Sequence, residues 1–333
     1  MISVVCPFYN EEAILEKSVE LMLANLIALQ DEWELIIVND GSKDGSLAIA
    51  KALEARNPRL TVAGYPVNRG RGYAIRTGIA QSRGELVITT EIDSSWGDDI
   101  VKRIVEEFRR QPDADIIIAS PHLPGGGYKN VPRDRVFLST FGNYVIRAGL
   151  TYWITMNTGM TRGYKREKFL ELPLNEDEKE FHLEVVNKAL AFGYRIYEIS
   201  AILEWKDSKL SKSPDKKRKS SAKIAKLIRT HVLFSIGVAP FRYLFPMSAG
   251  MLVAATMLLA WSIVNLFNPN PSVYLVLAGL SLGLLGFLIF SVGVIAQQMR
   301  GLTREQWRTQ SMLMSMRAAA LPSTPALANP KLH

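Results

Sequence analysis

Along residues 1–120, short runs rich in β-branched residues alternate with longer stretches whose apolar positions recur at helical spacing. Such alternation favours a mostly parallel sheet with helices on both faces. The predicted strands are 3–7, 33–39, 60–65, 85–90 and 115–119, and the predicted helices are 11–29, a segment after Asp44, 72–82 and 98–110. The pattern therefore predicts an α/β fold.

The pattern is less regular between residues 120 and 212. Three consecutive glycines at 125–127 predict a flexible loop. Helical spacing returns at 134–149 and 176–192, and a further strand is predicted at 194–205. We assign residues 1–212 to one α/β domain.

Two apolar stretches, 246–267 and 273–297, each reach the length of about 20 residues that a membrane-spanning helix needs. A polar link containing two prolines, 268–272, joins them, so the pair is predicted to form a hairpin within a segment at 244–299. Two buried helices of a soluble protein would also be apolar, but the near absence of charge favours a membrane. Arginines lie outside both ends of the pair and none in the link, which predicts cytoplasmic ends and a multi-pass anchor in the cytoplasmic membrane.

Basic residues are concentrated just before the first apolar stretch. The chain has a net charge of +8, and residues 206–229 contain ten Lys or Arg against two Asp. We interpret residues 213–243 as a juxtamembrane segment that contacts an anionic membrane surface. No nucleic-acid-binding motif accompanies the basic residues, so nucleic acid is not a predicted partner. Residues 300–333 are predicted to be a cytosolic, partly disordered tail.

Polar clusters follow three of the predicted strands, at 7–12, 39–44 and 91–95. In parallel sheets, ligands bind beyond the carboxyl ends of the strands. Asp40 is placed to accept hydrogen bonds from a base or a ribose, and Glu91 and Asp93 share one side of an extended segment. Two carboxylates and phosphate oxygens suit Mg²⁺ or Mn²⁺. The clusters predict a site for a nucleotide-diphosphate sugar.

The segments 4–12, 36–46, 68–79 and 91–93 together resemble family 2 glycosyltransferases, which have the Rossmann-like GT-A fold. Within that family the chain is most similar to dolichyl-phosphate mannose synthases and bacterial polyprenyl-phosphate glycosyltransferases. The narrower resemblance is carried by 125–127 with Arg135 and Ser139, by 161–164, by 193–198, by 211–212, and by the two apolar helices. It implies metal-dependent, inverting transfer of one sugar from a UDP- or GDP-sugar to polyprenyl phosphate at the cytoplasmic face.

The resemblance also implies roles for individual residues. Asp93 and Glu91 would hold the metal, and Arg135 and Ser139 would hold the phosphate of the acceptor. Asp93, Arg135 and Lys212 are the candidate catalytic residues, Lys212 lying in a segment that closes over the donor in relatives. The candidate donor-binding residues are Pro7, Asn10, Glu12, Asp40, Arg71 and Glu91.

The chain departs from the family pattern at several positions. The first acid of the metal motif is Glu91 and not an aspartate, and Ser95 stands where a residue often assists the metal. Pro121 and His122 stand before the glycine loop, where relatives usually carry an arginine, and Gly159 replaces an aspartate. These departures keep open an inactive membrane scaffold that binds a nucleotide. A processive polysaccharide synthase is a further alternative, although residues 306–308 do not reproduce its Gln-x-x-Arg-Trp segment. A homo-oligomer also remains open.

Overall fold

The computed structural model describes residues 1–149, 154–178, 180–205, 240–267 and 273–320. It divides into two units: the first contains residues 1–136, 154–215 and 306–333, and the second contains 137–153 and 216–305. The predicted juxtamembrane segment up to residue 239, Lys212, the link 268–272 and the last 13 residues lie outside the described residues.

The described part of the first unit is an α/β domain built on nine strands. The strands are β1 (Ile2–Phe8), β2 (Trp33–Asp40), β3 (Leu60–Tyr65), β4 (Leu86–Thr89), β5 (Ile116–Ser120), β6 (Gly127–Lys129), β7 (Arg162–Lys165), β8 (Ile196–Ser200) and β9 (Ile202–Glu204). The helices are α1 (Leu15–Ile27), α2 (Ser46–Arg56), α3 (Arg71–Gln81), α4 (Ile100–Arg110), α5 (Arg133–Gly149, which continues into the second unit), α6 (Arg166–Leu170) and α7 (Phe181–Ala191).

The main sheet has seven strands in the order β3-β2-β1-β4-β7-β5-β8. All neighbouring pairs are parallel except those made by β7, which lies antiparallel between β4 and β5. Every residue of β2 and β5 is buried, as expected for strands covered on both faces. Because β1, β2 and β4 run in the same direction, their carboxyl ends meet at one edge of the sheet.

The α/β prediction is confirmed, and several element boundaries are corrected. The predicted strand 194–205 is two strands, because Ala201 donates its N–H to Ser120 at 2.9 Å and accepts from Gly127 at 3.2 Å. The predicted helix 176–192 begins only at Phe181, because the N–H groups of Asn175 and Glu176 bond to the Glu184 carboxylate instead of forming a helical turn. The pattern missed β6, β7 and α6, which are three to five residues long.

The second unit contains two long apolar helices, α8 (Pro240–Asn265) and the first part of α9 (Val273–Ala320). Both are long and apolar enough to cross a membrane, and only 17% and 11% of their most apolar stretches are buried. They pack antiparallel: Gly279 lies against Leu259, and Gly293 against Leu244. Helix α9 continues 23 residues beyond the predicted span end at 297, so residues 300–320 of the predicted tail are helical.

Candidate functional site

A cleft of about 370 Å³ opens at the carboxyl ends of β1, β2 and β4. Five of the predicted site residues line it: Pro7, Asp40, Arg71, Glu91 and Asp93. The other lining residues were not named as site residues: Phe8, Tyr9, Glu11 and Ile92 fall inside the predicted clusters, and Asn68, Gly70, Met160 and Glu178 fall outside them. Asn68 and Gly70 belong to the segment 68–79 that carried the family resemblance, so that segment could have indicated them.

Asp40, at the end of β2, organises the loop that leads into α3. Its Oδ1 accepts hydrogen bonds from the Tyr65 hydroxyl at 2.7 Å and from the N–H groups of Arg69 and Gly70 at 2.9 and 3.1 Å. Its Oδ2 accepts from the Asn68 side chain at 2.9 Å. Burial, followed by the bond to Asp40, raises the pKa of Tyr65. Much of the capacity of this carboxylate is therefore used to fix the loop.

The loops after β1 and β2 are joined by reciprocal side-chain hydrogen bonds. Asn10 Oδ1 accepts the Lys43 N–H at 2.8 Å, and Glu12 Oε2 accepts the Gly45 N–H at 2.9 Å. Asp44 in turn accepts the Glu12 N–H at 3.3 Å. Neither Asn10 nor Glu12 is among the described residues that line the cleft, and the structure gives both a role in holding its wall.

Glu91 and Asp93 follow β4 and are both half-buried at the cleft. Asp93 Oδ1 accepts the Ser95 N–H at 3.1 Å and also the Ser95 hydroxyl. Ser94, between Asp93 and Ser95, has a φ of +52°, which turns the chain sharply after Asp93. Within the described residues no group of three or more metal-ligating side chains occurs. Two carboxylates suit a Mg²⁺ or Mn²⁺ ion whose other ligands are phosphate oxygens and water.

The cleft is strongly acidic. Five carboxylates line it, and Arg71 is the one cationic side chain among its described lining residues; the acids are Glu11, Asp40, Glu91, Asp93 and Glu178. A diphosphate would be repelled by so many carboxylates at close range. A bound divalent cation would neutralise the charges of Glu91 and Asp93 and present a positive centre to the diphosphate.

Residues 175–178, before α7, pack against the start of α3, and Glu178 among them lines the cleft. The Asp177 carbonyl accepts the N–H groups of Gly72 and Tyr73 at 2.7 and 3.2 Å, at the first turn of α3. The Asp177 carboxylate pairs with Arg69 at 3.2 Å and with Arg76. No motif in the sequence indicated this packing, because it forms between segments about 100 residues apart.

The loop 154–161, before β7, is held by a buried arginine and a half-buried glutamate. The Arg162 guanidinium donates to the carbonyls of Asn157, Gly159 and His182 at 2.7, 2.8 and 3.1 Å. Burial lowers the pKa of Arg162. From β8, Glu198 accepts the N–H groups at 155 and 156 at 2.8 and 2.9 Å, and burial raises its pKa despite these bonds. The loop thereby carries Met160 to the cleft.

The predicted acceptor residues lie on α5. Arg135 and Ser139 are four residues apart on this helix, which places them on one face. Arg135 belongs to the first unit and Ser139 to the second. Their role stays a prediction, as does that of Lys212, which lies outside the described residues.

The comparisons with known proteins agree with the fold. Two solved structures of glucosyl-3-phosphoglycerate synthase from Mycobacterium tuberculosis, one with UDP and one with Mn²⁺, UDP-glucose and phosphoglyceric acid, match with TM-scores of 0.51 and 0.50 at 18% identity. The matches cover 72% and 71% of this chain and 79% and 80% of theirs. The fold is therefore the predicted GT-A fold.

The family model for glycosyl transferase family 2 matches residues 3–172, just over half of the chain. The chain belongs to this family. It is similar to a dolichyl-phosphate beta-glucosyltransferase of Trichomonas vaginalis, 32% identical over 36% of this chain and 39% of that protein. It is also similar to an undecaprenyl-phosphate 4-deoxy-4-formamido-L-arabinose transferase of Pseudomonas aeruginosa, 38% identical over 32% of each chain. The chain spans less than half the length of these curated relatives.

Proposed function

We propose that this protein transfers one sugar from a nucleotide-diphosphate sugar to a polyprenyl phosphate at the cytoplasmic face of a membrane. The observation that carries the proposal is the acidic cleft at the ends of β1, β2 and β4, where Asp40, Glu91 and Asp93 lie together. The named relatives act on dolichyl and undecaprenyl phosphates, and the two apolar helices supply a membrane anchor for an enzyme with a lipid substrate.

Asp93 and Glu91 would hold Mg²⁺ or Mn²⁺ against the diphosphate of the donor. The cation would offset the charge that develops on the leaving nucleotide. The solved enzyme that contains Mn²⁺ and UDP-glucose has the same fold and supports this assignment. Arg71 would add a positive charge at the cleft, and the loop fixed by Asp40 would contact the nucleoside.

The acceptor would be held by Arg135 and Ser139, since a guanidinium group matches the geometry of a phosphate. The phosphate is already anionic, so no strong general base is needed. One of its oxygens would attack the anomeric carbon as the bond to the diphosphate breaks, which inverts the anomeric configuration. Rate enhancement would come from alignment of the two substrates and stabilisation of the leaving group.

The experiment uses the full chain in detergent with a short polyprenyl phosphate and Mn²⁺ or Mg²⁺. UDP- and GDP-sugars are screened for a glycosylated lipid by mass spectrometry. The Asp93→Asn variant should lose the product. The matched Asp98→Asn variant, which changes an exposed aspartate outside the cleft, should retain it.

The products also separate the alternatives. One sugar per lipid phosphate supports the proposal, and a polymer would instead indicate a processive synthase. The substitution at Gly159 keeps a nucleotide-binding scaffold as a second candidate. Nucleotide binding without a product from any donor would favour that scaffold.

A further inference from the structure

The last part of α9, from Gln306 onward, belongs to the first unit, which also contains the donor cleft. Its Trp307 ring lies 5.1 Å from the Lys188 ammonium, measured to the ring centroid. Farther along the helix, Gln310, Leu313 and Met314 share a cleft of about 470 Å³ with residues of α3, α6 and the segment 172–175. The Trp307 side chain is half-buried, whereas that of Leu313 is 60% exposed. Of these two apolar side chains, the tryptophan is therefore the more fully covered.

Lys188 links this helix to the segment before α7. Its side chain is only 4% exposed, which is rare for a lysine. The ammonium donates to Glu184 Oε1 at 2.7 Å and to the Pro173 carbonyl. An ammonium has three N–H donors, and the electron-rich face of an indole attracts a cation that two oxygens do not fully surround.

Glu184 connects Lys188 to the backbone of residues 175 and 176. Its carboxylate accepts the Asn175 N–H at 3.0 Å and the Glu176 N–H at 2.9 Å. Two residues later, the Asp177 carbonyl accepts the N–H groups of Gly72 and Tyr73, and Glu178 lines the donor cleft. The contacts therefore run without a gap from Trp307 to the first turn of α3.

The fit between this segment and the glycine loop is close. A Cβ atom on Gly70 would lie 2.6 Å from the Asp177 carbonyl oxygen, and one on Gly72 would lie 2.7 Å from that of Glu176. A displacement of residues 175–178 would therefore be transmitted to residues 70–72. Gly70 and Arg71 both line the cleft, so its shape depends on where this segment lies.

We propose that Trp307 and Lys188 are positioning residues for the donor site: the end of α9 holds residues 173–178 in place, and these hold the glycine loop. The proposal deepens the proposed function and rests on it for the identity of the donor. It assigns a task to a tryptophan that otherwise falls in a segment with no part in the chemistry.

The test compares Trp307→Leu with Trp307→Phe in the full chain in detergent. Hydrogen–deuterium exchange is followed at the amides of Gly72 and Tyr73, with the amides of β2 as an internal reference. Affinity for UDP, or for GDP if only that nucleotide binds, is measured with Mn²⁺ present. The matched control is Trp261→Leu, which removes an exposed tryptophan from α8.

We expect Trp307→Leu to speed exchange at residues 72 and 73 and to weaken nucleotide binding by roughly threefold to tenfold, with no change in β2. In turnover, KM for the donor should rise more than kcat falls. Trp307→Phe should restore both properties, because a phenyl ring still attracts the ammonium, and Trp261→Leu should change neither.

Lys188→Met provides a second variant. It should reproduce the local exchange, and adding Trp307→Leu to it should have no further effect, since contacting residues are coupled. Unchanged exchange at residues 72 and 73 in Trp307→Leu would overturn the proposal, as would full additivity of the two changes. The exchange result decides the matter even if the chain binds neither nucleotide, an outcome that would contradict the proposed function alone.

Discussion

The loop after β4 and the loop before β7 lie side by side and use charge in opposite ways. Thr89 of β4 pairs with Arg162 of β7, and the hydroxyls of Thr90 and Thr161 are 3.1 Å apart. In the first loop, Glu91 and Asp93 reach the cleft. Directly after the second loop, Arg162 of β7 is completely buried and donates to three backbone carbonyls, two of which belong to that loop.

The difference shows that charge near a cleft has two separate uses. A half-buried carboxylate stays hydrated and can exchange its water for a cation. A buried guanidinium has already lost its water, and its protein partners must replace it. The first loop is therefore suited to bind ligands and the second to fix the backbone that surrounds them. Activity and stability should respond separately to changes in the two loops.

Asp93→Asn should have the largest effect. It removes a charge that would hold the cation at the diphosphate, so we expect transfer to fall by about 1,000-fold or more. The free energy of unfolding should change by less than about 0.5 kcal/mol, because the amide can still accept the Ser95 hydrogen bonds. Product formation and pulse proteolysis in urea measure the two quantities. A stable variant with normal turnover would contradict the assignment.

Arg162→Met should show the reverse pattern. Three buried carbonyls lose their donor, and we expect a loss of about 3 kcal/mol or more in the free energy of unfolding. Pulse proteolysis again measures it. Arg56→Met, at a side chain that is 64% exposed and only 3.9 Å from Glu16, should cost less than about 0.5 kcal/mol. Equal losses in the two variants would show that the buried contacts contribute little.

Asp40→Asn tests a residue that combines both uses. The amide can accept fewer hydrogen bonds than the carboxylate, so the loop 68–70 should lose order, and we expect about 2 kcal/mol less stability. Affinity for the nucleotide, measured by calorimetry, should fall as well. If affinity falls with no loss of stability, Asp40 acts mainly through direct contact with the nucleoside.

The smallest expected effects are changes with pH at two glutamates. Burial raises the pKa of Glu198, so its folded form holds a proton more tightly than the unfolded chain. Its contribution to stability therefore falls as pH rises through the folded pKa, and Glu198→Gln should lose this dependence. The urea midpoint should fall from pH 4 to 7 in the unchanged protein and fall less in Glu198→Gln.

Glu34, at the start of β2, should behave oppositely. Burial alone would raise its pKa, but hydrogen bonds from Ser3 and Arg83 outweigh burial and lower it. Its stabilisation is present at neutral pH and is lost as pH falls through the folded pKa. Glu34→Gln should thus cost about 1 kcal/mol at pH 7 and less in acid. Parallel pH profiles for the two variants would contradict these directions.

The sequence predicted the parts of the molecule that are local. The parallel strands and the carboxylates of Asp40, Glu91 and Asp93 follow from alternation and from polar residues at strand ends. It could not predict the four-residue strand β7, whose place between β4 and β5 depends on pairing with residues more than 40 positions before it. It also missed Glu178 and the buried task of Arg162, because hydrogen bonds between distant segments leave no periodic pattern.

The glycines of α9 have a consequence for how the hairpin tolerates mutation. In lipid, helices associate through close packing and not through exclusion of water. A methyl group on Gly279 would lie 2.9 Å from Leu259, whereas Leu284 and Phe287 are about 60% exposed and contribute little to that contact. Natural variation and engineering should therefore exchange one large apolar residue for another freely on the outer side. On the side that faces α8, Gly279 should tolerate an added methyl group less well than Gly283, where that group would lie 3.6 Å from Ala255.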